Sequence, residues 1–232
     1  MRLGIICLCL MIPNLALASG ITAANFIDPT SRYDHGILGD DIEWGGLQID
    51  LTDGRRITFT LPQSRVFEDL APRLADIDGD GMAEVVVVET DISKGARLSV
   101  YFKDGVVATT PYIGQTRRWL APIGFADFDG DGRIEIAYID RPHLAKILRL
   151  WRWDGSPHLS HVADLSGVTN HKIGWDFIAG GVRDCGVGPE MIVSSADWSR
   201  TVSVTYDGEF HVTDLAITPT PKSLAKALIC QK

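Results

Sequence analysis

The sequence predicts an all-β chain, a β-propeller of four blades with four antiparallel strands each. Three observations predict it. Asp-Gly turns close strand-like runs at Asp53-Gly54, Asp104-Gly105, Asp154-Gly155 and Asp207-Gly208, with the glycines 51, 50 and 53 residues apart. A period of that size built from strands and turns points to blades rather than to a helical solenoid. An acidic loop occurs twice at the same spacing, over 76–84 and 127–135. Between the turns lie short continuous apolar runs, such as Val85 to Val88, that suit strands covered on both faces.

The second unit reads as an inner strand Leu70 to Ala75, the acidic loop, a buried strand Glu84 to Glu89, a third strand Arg97 to Phe102 and an outer strand Val106 to Thr110. The third repeats this as Trp119 to Ala126, Glu135 to Ile139, Ile147 to Trp153 and an outer strand near His158 to Ala163. The fourth gives Lys172 to Ala179, Glu190 to Ser194, Thr201 to Tyr206 and Phe210 to Leu215. In the first unit Leu47 to Leu51 and Arg56 to Leu61 match the third and outer strands, with no inner strand ahead of them. Leu224 to Ile229 resembles Leu70 to Ala75, so the C-terminal segment is expected to supply that strand and close the ring. The alternative for Lys222 to Leu228 is a short helix, which Lys, Leu and Ala favour.

Residues 1–18 read as a secretory leader: Arg2 is a positive start, Leu3 to Ile12 an apolar run too short for a bilayer, and Ala16-Leu17-Ala18 a small-x-small cleavage signal. Residues 19–232 then form a single domain exported to the periplasm or beyond the cell, with no membrane anchor. Cys7 and Cys9 leave with the leader, and Cys185 and Cys230 remain as a pair expected to form a disulfide, the alternative being two buried thiols. The repeat alignment puts them at one end of neighbouring blades. The chain carries a net charge of −8, one unit more negative without Arg2, which disfavours nucleic acid and anionic lipid as partners.

The loops Asp76-Ile77-Asp78-Gly79-Asp80-Gly81-Met82-Ala83-Glu84 and Asp127-Phe128-Asp129-Gly130-Asp131-Gly132-Arg133-Ile134-Glu135 place carboxylates at alternate positions with glycines that permit a sharp bend, the pattern of a site for a hard cation such as calcium. An EF-hand would need flanking helices and a twelfth-position glutamate, but Val87 and Tyr138 stand there. With their flanking strands the loops resemble the FG-GAP or VCBS-type repeats of integrin alpha-chain propellers and many secreted bacterial proteins. The resemblance implies two Ca2+ sites, held by the carboxylates of Asp76, Asp78, Asp80 and Glu84 with the Met82 carbonyl, and by those of Asp127, Asp129, Asp131 and Glu135 with the Arg133 carbonyl. The fourth unit, Val182 to Glu190, has lost most of these groups and is expected to hold no metal.

Trp151 and Trp153 share a strand face and read as core, while His158 and His161 read as solvated surface rather than zinc ligands. Trp119 and Trp175 open neighbouring inner strands, where they either pack or contact a ligand at the channel mouth. No nucleophile elbow, zincin motif or phosphate loop is present, and Asp40-Asp41-Glu43 lies in a turn region with no visible partner. The expected function is a calcium-binding module or scaffold for an extracytoplasmic protein or glycan. The competing expectation is a carbohydrate-active hydrolase or lyase with its site at the channel.

Overall fold

The computed structural model describes residues 19–231, so the expected leader over 1–18 lies outside the described residues. The first repeat comprises β1 (Ile21–Thr30), β2 (Glu43–Leu51) and β3 (Arg56–Thr60). The second comprises β4 (Arg65–Phe67), β5 (Arg73–Ala75), β6 (Glu84–Asp91), β7 (Gly95–Phe102) and β8 (Gly105–Thr109). The third is β9 (Leu120–Ala126), β10 (Glu135–Asp140), β11 (Ile147–Arg152) and β12 (Ser160–Ser166). The fourth is β13 (Val168–Thr169), β14 (Gly181–Asp184), β15 (Pro189–Ser195), β16 (Thr201–Tyr206) and β17 (Phe210–Asp214), followed by α1 (Pro221–Leu228). The four Asp-Gly turns join β2 to β3, β7 to β8, β11 to β12 and β16 to β17. Their glycines all lie at φ between +82° and +122°, where a Cβ would be strained.

Alternating side chains stack the repeats face to face. On β6, Val85 and Val87 pack toward Leu47 and Ile49 of the first repeat and Phe67 of β4, while Val86 and Val88 join Ile136, Tyr138 and Trp151 of the third. On β10, Ala137 and Ile139 face Met191 and Val193 of β15. Ile192, pointing the other way from β15, packs with Leu224 and Ala227 of α1. Each central strand is thus apolar on both sides, which explains its continuous hydrophobic run. Trp151 is buried and Trp153 packs beside it, as their shared face implies.

Four sequence expectations are corrected. Leu224 to Leu228 is helix, not a closing strand, and Ile229 caps it: Pro221 starts it, Thr220 accepts from the Ser223 N–H, and Ser223 Oγ accepts from the Thr220 N–H at 2.9 Å. The strand beside β2 is instead β1, paired with it from Ile21↔Leu51 to Thr30↔Glu43. The first two repeats are also joined into one eight-stranded sheet through β4, which pairs with both β2 and β6. The inner strand expected over Leu70 to Ala75 shortens to β5, set apart from β4 where the Asp69 carboxylate accepts the Val88 N–H (3.1 Å) in place of a backbone carbonyl. Lys172 to Ala179 leaves the fourth sheet altogether, turning at Gly174, and the inner edge is made by β13 and β14.

Glu43, the first residue of β2, is buried beneath the loop over 31–42. Burial first, then the neighbouring carboxylates of Glu68, Asp40 and Asp69, push it up to about 9. The folded protein therefore keeps a proton that the unfolded chain releases between the ordinary carboxylate range and about pH 9. The stability linked to this group is complete in acid and lost as pH rises through that window. Glu43→Gln should be more stable than the parent by about 1–3 kcal/mol at pH 8 and nearly equal to it near pH 4.5, read by urea unfolding. Equal pH slopes in the two proteins would show that Glu43 is not held protonated.

Candidate functional site

Both acidic loops bend as their glycines allow. In the first, Asp76 accepts the N–H groups of Gly79 (2.8 Å) and Gly81 (3.0 Å), and buried Glu84 accepts the Ile77 N–H at 2.9 Å. In the second, Asp127 accepts the Gly132 N–H and Glu135 the Phe128 N–H, each at 2.9 Å. Asp76, Asp78 and Glu84 each offer an oxygen within 4.8 Å of the others, as do Asp127, Asp129 and Glu135. Asp80 and Asp131 use one oxygen to accept the N–H of Met82 (2.7 Å) and Arg133 (2.9 Å). Oxygen-only donor sets of this kind suit a hard cation such as calcium, with the Met82 and Arg133 carbonyls as further donors by the resemblance.

The glutamates that end these loops, Glu84, Glu135 and Glu190, meet three different surroundings. Glu84 has no cationic side chain on it among the described residues, and burial together with Asp78, Asp80 and Asp76 pushes it up to about 7. Glu135 is paired with Arg152, directly opposite on β11; the same guanidinium reaches Asp129 at 3.0 Å and Asp131 at 3.1 Å. The matching place on β7, next after Tyr101, is Phe102. Glu190 is paired with Arg183 of its own loop at 2.6 Å. The first loop therefore fits an added cation without obstruction. The second fits one at Asp127 Oδ1, buried with no partner, but Arg152 already answers part of its charge.

In the fourth repeat the degenerate loop holds the helix. Cys185 is bonded to Cys230 with Cα atoms 5.8 Å apart, and Arg183 Nη1 donates to the Ala227 carbonyl at 2.7 Å. The expected disulfide thus forms although Cys230 follows a helix rather than a strand. It needs only the end of α1 to reach the loop.

At the other end of the inner strands, the loop over 31–42 docks across the sheets. Arg117 donates its backbone N–H to the Tyr33 hydroxyl at 2.8 Å, and its guanidinium meets Asp34 at 2.7 Å. His35 Nδ1 lies 2.5 Å from buried Glu68, and Trp119 donates to the Glu68 carbonyl at 2.8 Å. His143 lies 3.0 Å from buried His171, and burial, then His171, pushes it down to about 4. A cavity of about 210 Å³ results, lined by His35, Arg117, Arg118, Arg141 and His143 with apolar neighbours. Gly95 makes room for the Arg118 turn: a Cβ there would sit 2.3 Å from the Gln115 carbonyl oxygen and 2.8 Å from that of Arg118. Gly95→Ala should cost about 2 kcal/mol or more in urea unfolding; a loss below about 0.5 kcal/mol would show that the turn yields freely.

Trp119 lines this cavity but is almost wholly buried, so it forms a wall rather than an exposed platform. Trp175 does not join it, stacking instead on Phe177 with ring centroids 4.5 Å apart and packing edge-on to Trp198. His161 is exposed and paired with Asp164 at 2.8 Å, and His158 lies outside β12. Sequence reasoning passed over Arg117, Arg118 and the Arg141-Pro142-His143 turn. The signal available was positional, since each follows or precedes a strand at the same end of its repeat. No described helix is long and apolar enough to cross a membrane, which says nothing of spans made by strands.

A comparison with curated proteins finds no match. A family model described as an FG-GAP-like repeat matches residues 70–138, the stretch from the edge of β5 through β10 that contains both acidic loops complete. The chain carries an FG-GAP-like repeat, as its loop pattern and stacked antiparallel sheets imply.

Proposed function

We propose that the protein is exported and acts as a calcium-binding module or scaffold that engages an extracytoplasmic protein or glycan. The observation that carries this is the first acidic loop, where the Asp76 and Asp78 carboxylates converge with that of buried Glu84 and no cationic side chain among the described residues answers them. The disulfide and the leader-like start support export, since such bonds persist in oxidising compartments. A cleft of about 330 Å³ lies between the two loops, lined by Asp78, Arg133 and Trp153 among others. Calcium would fix the loop backbones that border it. Immobilised protein should retain a glycan or secreted protein in calcium and release it in chelator, and Asp78→Ala should retain less. Retention indifferent to both chelator and Asp78→Ala would end the calcium-dependent reading.

A carbohydrate-active hydrolase or lyase is the second reading, favoured by His35 and His143 lining one cavity. Release of new reducing ends from a polysaccharide panel, lost in His143→Ala, would establish it.

A further inference from the structure

The basic cavity at the end away from the acidic loops has a charge balance that defines its ligand. Arg117 is paired with Asp34 and Arg141 with Asp140 at 2.8 Å. His35 Nδ1 lies 2.5 Å from the buried Glu68 carboxylate, so this ring nitrogen is already engaged within the protein. Arg118 has no carboxylate among the described residues; its one side-chain hydrogen bond donates from Nη1 to the Arg117 carbonyl. One uncompensated guanidinium therefore faces a cavity in a protein of net charge −8. A single planar fork matches a monoanionic carboxylate better than a doubly charged phosphate, which would call for a second free cation.

The remaining lining is apolar. Ile37 and Trp119 form its buried wall, while Leu144 and Ile173 stand at the rim 64% and 77% exposed. Two large side chains left in water beside a lone guanidinium give the cavity an apolar half and a charged half. The backbone is held there at a cost: Arg117 and Arg141 both adopt left-handed φ values, +53° and +45°, a conformation that non-glycine residues reach only under constraint. Both strained residues line the same cavity.

We propose that this cavity binds a carboxylate attached to a compact apolar group, the carboxylate on Arg118 and the apolar body against Leu144 and Ile173. His143, neutral at physiological pH, offers a ring nitrogen beside it. A cavity of about 210 Å³ takes one such unit, the size of a single C-terminal residue or a short branched acid. The site does not depend on the calcium reading, because β9 alone separates its Trp119 wall from Asp127 by about 23 Å of strand.

The probe is the tripeptide N-acetyl-Ala-Ala-Leu titrated calorimetrically into the full chain, against its C-terminal amide, isovalerate and inorganic phosphate. The free acid should bind at least tenfold more tightly than the amide, and Arg118→Ala should lose at least tenfold with an unchanged melt. Leu144→Asp, at an exposed position, should lose binding too and keeps the test decisive should Arg118→Ala fold poorly. Isovalerate binding as well as the tripeptide assigns a free acid as the source; tripeptide binding alone assigns a chain terminus. Chelator should change nothing, so a failed calcium titration and a failed carboxylate titration are separable. Equal binding of acid and amide, tighter binding of phosphate, or no heat from the acid up to millimolar concentration overturns the proposal.

Discussion

Calcium is expected to raise the melting temperature of the wild-type protein with concentration, and Asp78→Ala to remove most of that rise while Asp129→Ala removes little. A ligand that binds only the folded state stabilises by about 2.7 kcal/mol at a hundred times its dissociation constant. The difference between the variants follows from Arg152. In the second loop its guanidinium already meets Asp129, Asp131 and Glu135, so an arriving ion competes with a tethered one. In the first loop Phe102 stands at that place, and no cationic side chain among the described residues competes. Arg152→Ala should invert the pattern. The metal-free variant loses about 2–4 kcal/mol, the cost of leaving buried Glu135 unanswered, and calcium then recovers more of its stability than it adds to the parent. Differential scanning fluorimetry across calcium and chelator concentrations reads all four proteins. An unmoved wild-type transition would sink the calcium reading, and equal responses of the two aspartate variants would sink the asymmetry.

Deleting residues 220–231 should be more damaging than reducing the disulfide. Leu224 and Ala227 are buried against Ala179 and Ile192, with Trp175, Phe177 and Leu228 beside them. Removing the helix uncovers that face of the fourth sheet, and the deleted protein is expected to aggregate or be cleaved rapidly by protease. Leu224→Ala alone should cost about 2–4 kcal/mol. Reduction is milder. The bond spans 45 residues, for which chain entropy gives about 4 kcal/mol at most, and the helix stays seated by its apolar face and by Arg183 on the Ala227 carbonyl. Reduced protein should melt earlier but cooperatively. Loss of all cooperative melting on reduction would show that the bond, not the packing, holds α1.

Local patterns were legible in the sequence where the cause is local. The four Asp-Gly turns, the valine run of β6 and both acidic bends follow from backbone chemistry within a few residues, and the structure has them where expected. The C-terminal segment was misread because Leu224 to Ile229 imitates Leu70 to Ala75 in composition. Thr220 and Pro221, a capping residue and a helix-starting proline, carried the better signal. β1 was missed because only one side of it packs: Ala24 and Phe26 point inward while Thr22 and Asn25 are exposed. The basic cavity could be read only in the position of its arginines at one strand end. It depends on Tyr33 meeting Arg117, 84 residues away, and on a loop with no periodicity of its own.

The glutamates at the starts of β6 and β10 and one residue into β15 have a consequence for how the molecule ages and adapts. In β10 and β15 the answering charge is covalently part of the chain and cannot be diluted away. On the proposed calcium reading, at Glu84 it comes from solution, and the N-terminal half of the stack is expected to firm as divalent ions are added. The C-terminal half, with two arginines and a disulfide, is expected to depend on them less. Moving from an ion-rich medium to an ion-poor one is then expected to loosen the molecule first at the first loop. The first proteolytic cuts in chelator should therefore fall near residues 76–84 and leave the fragment from β9 to α1 intact.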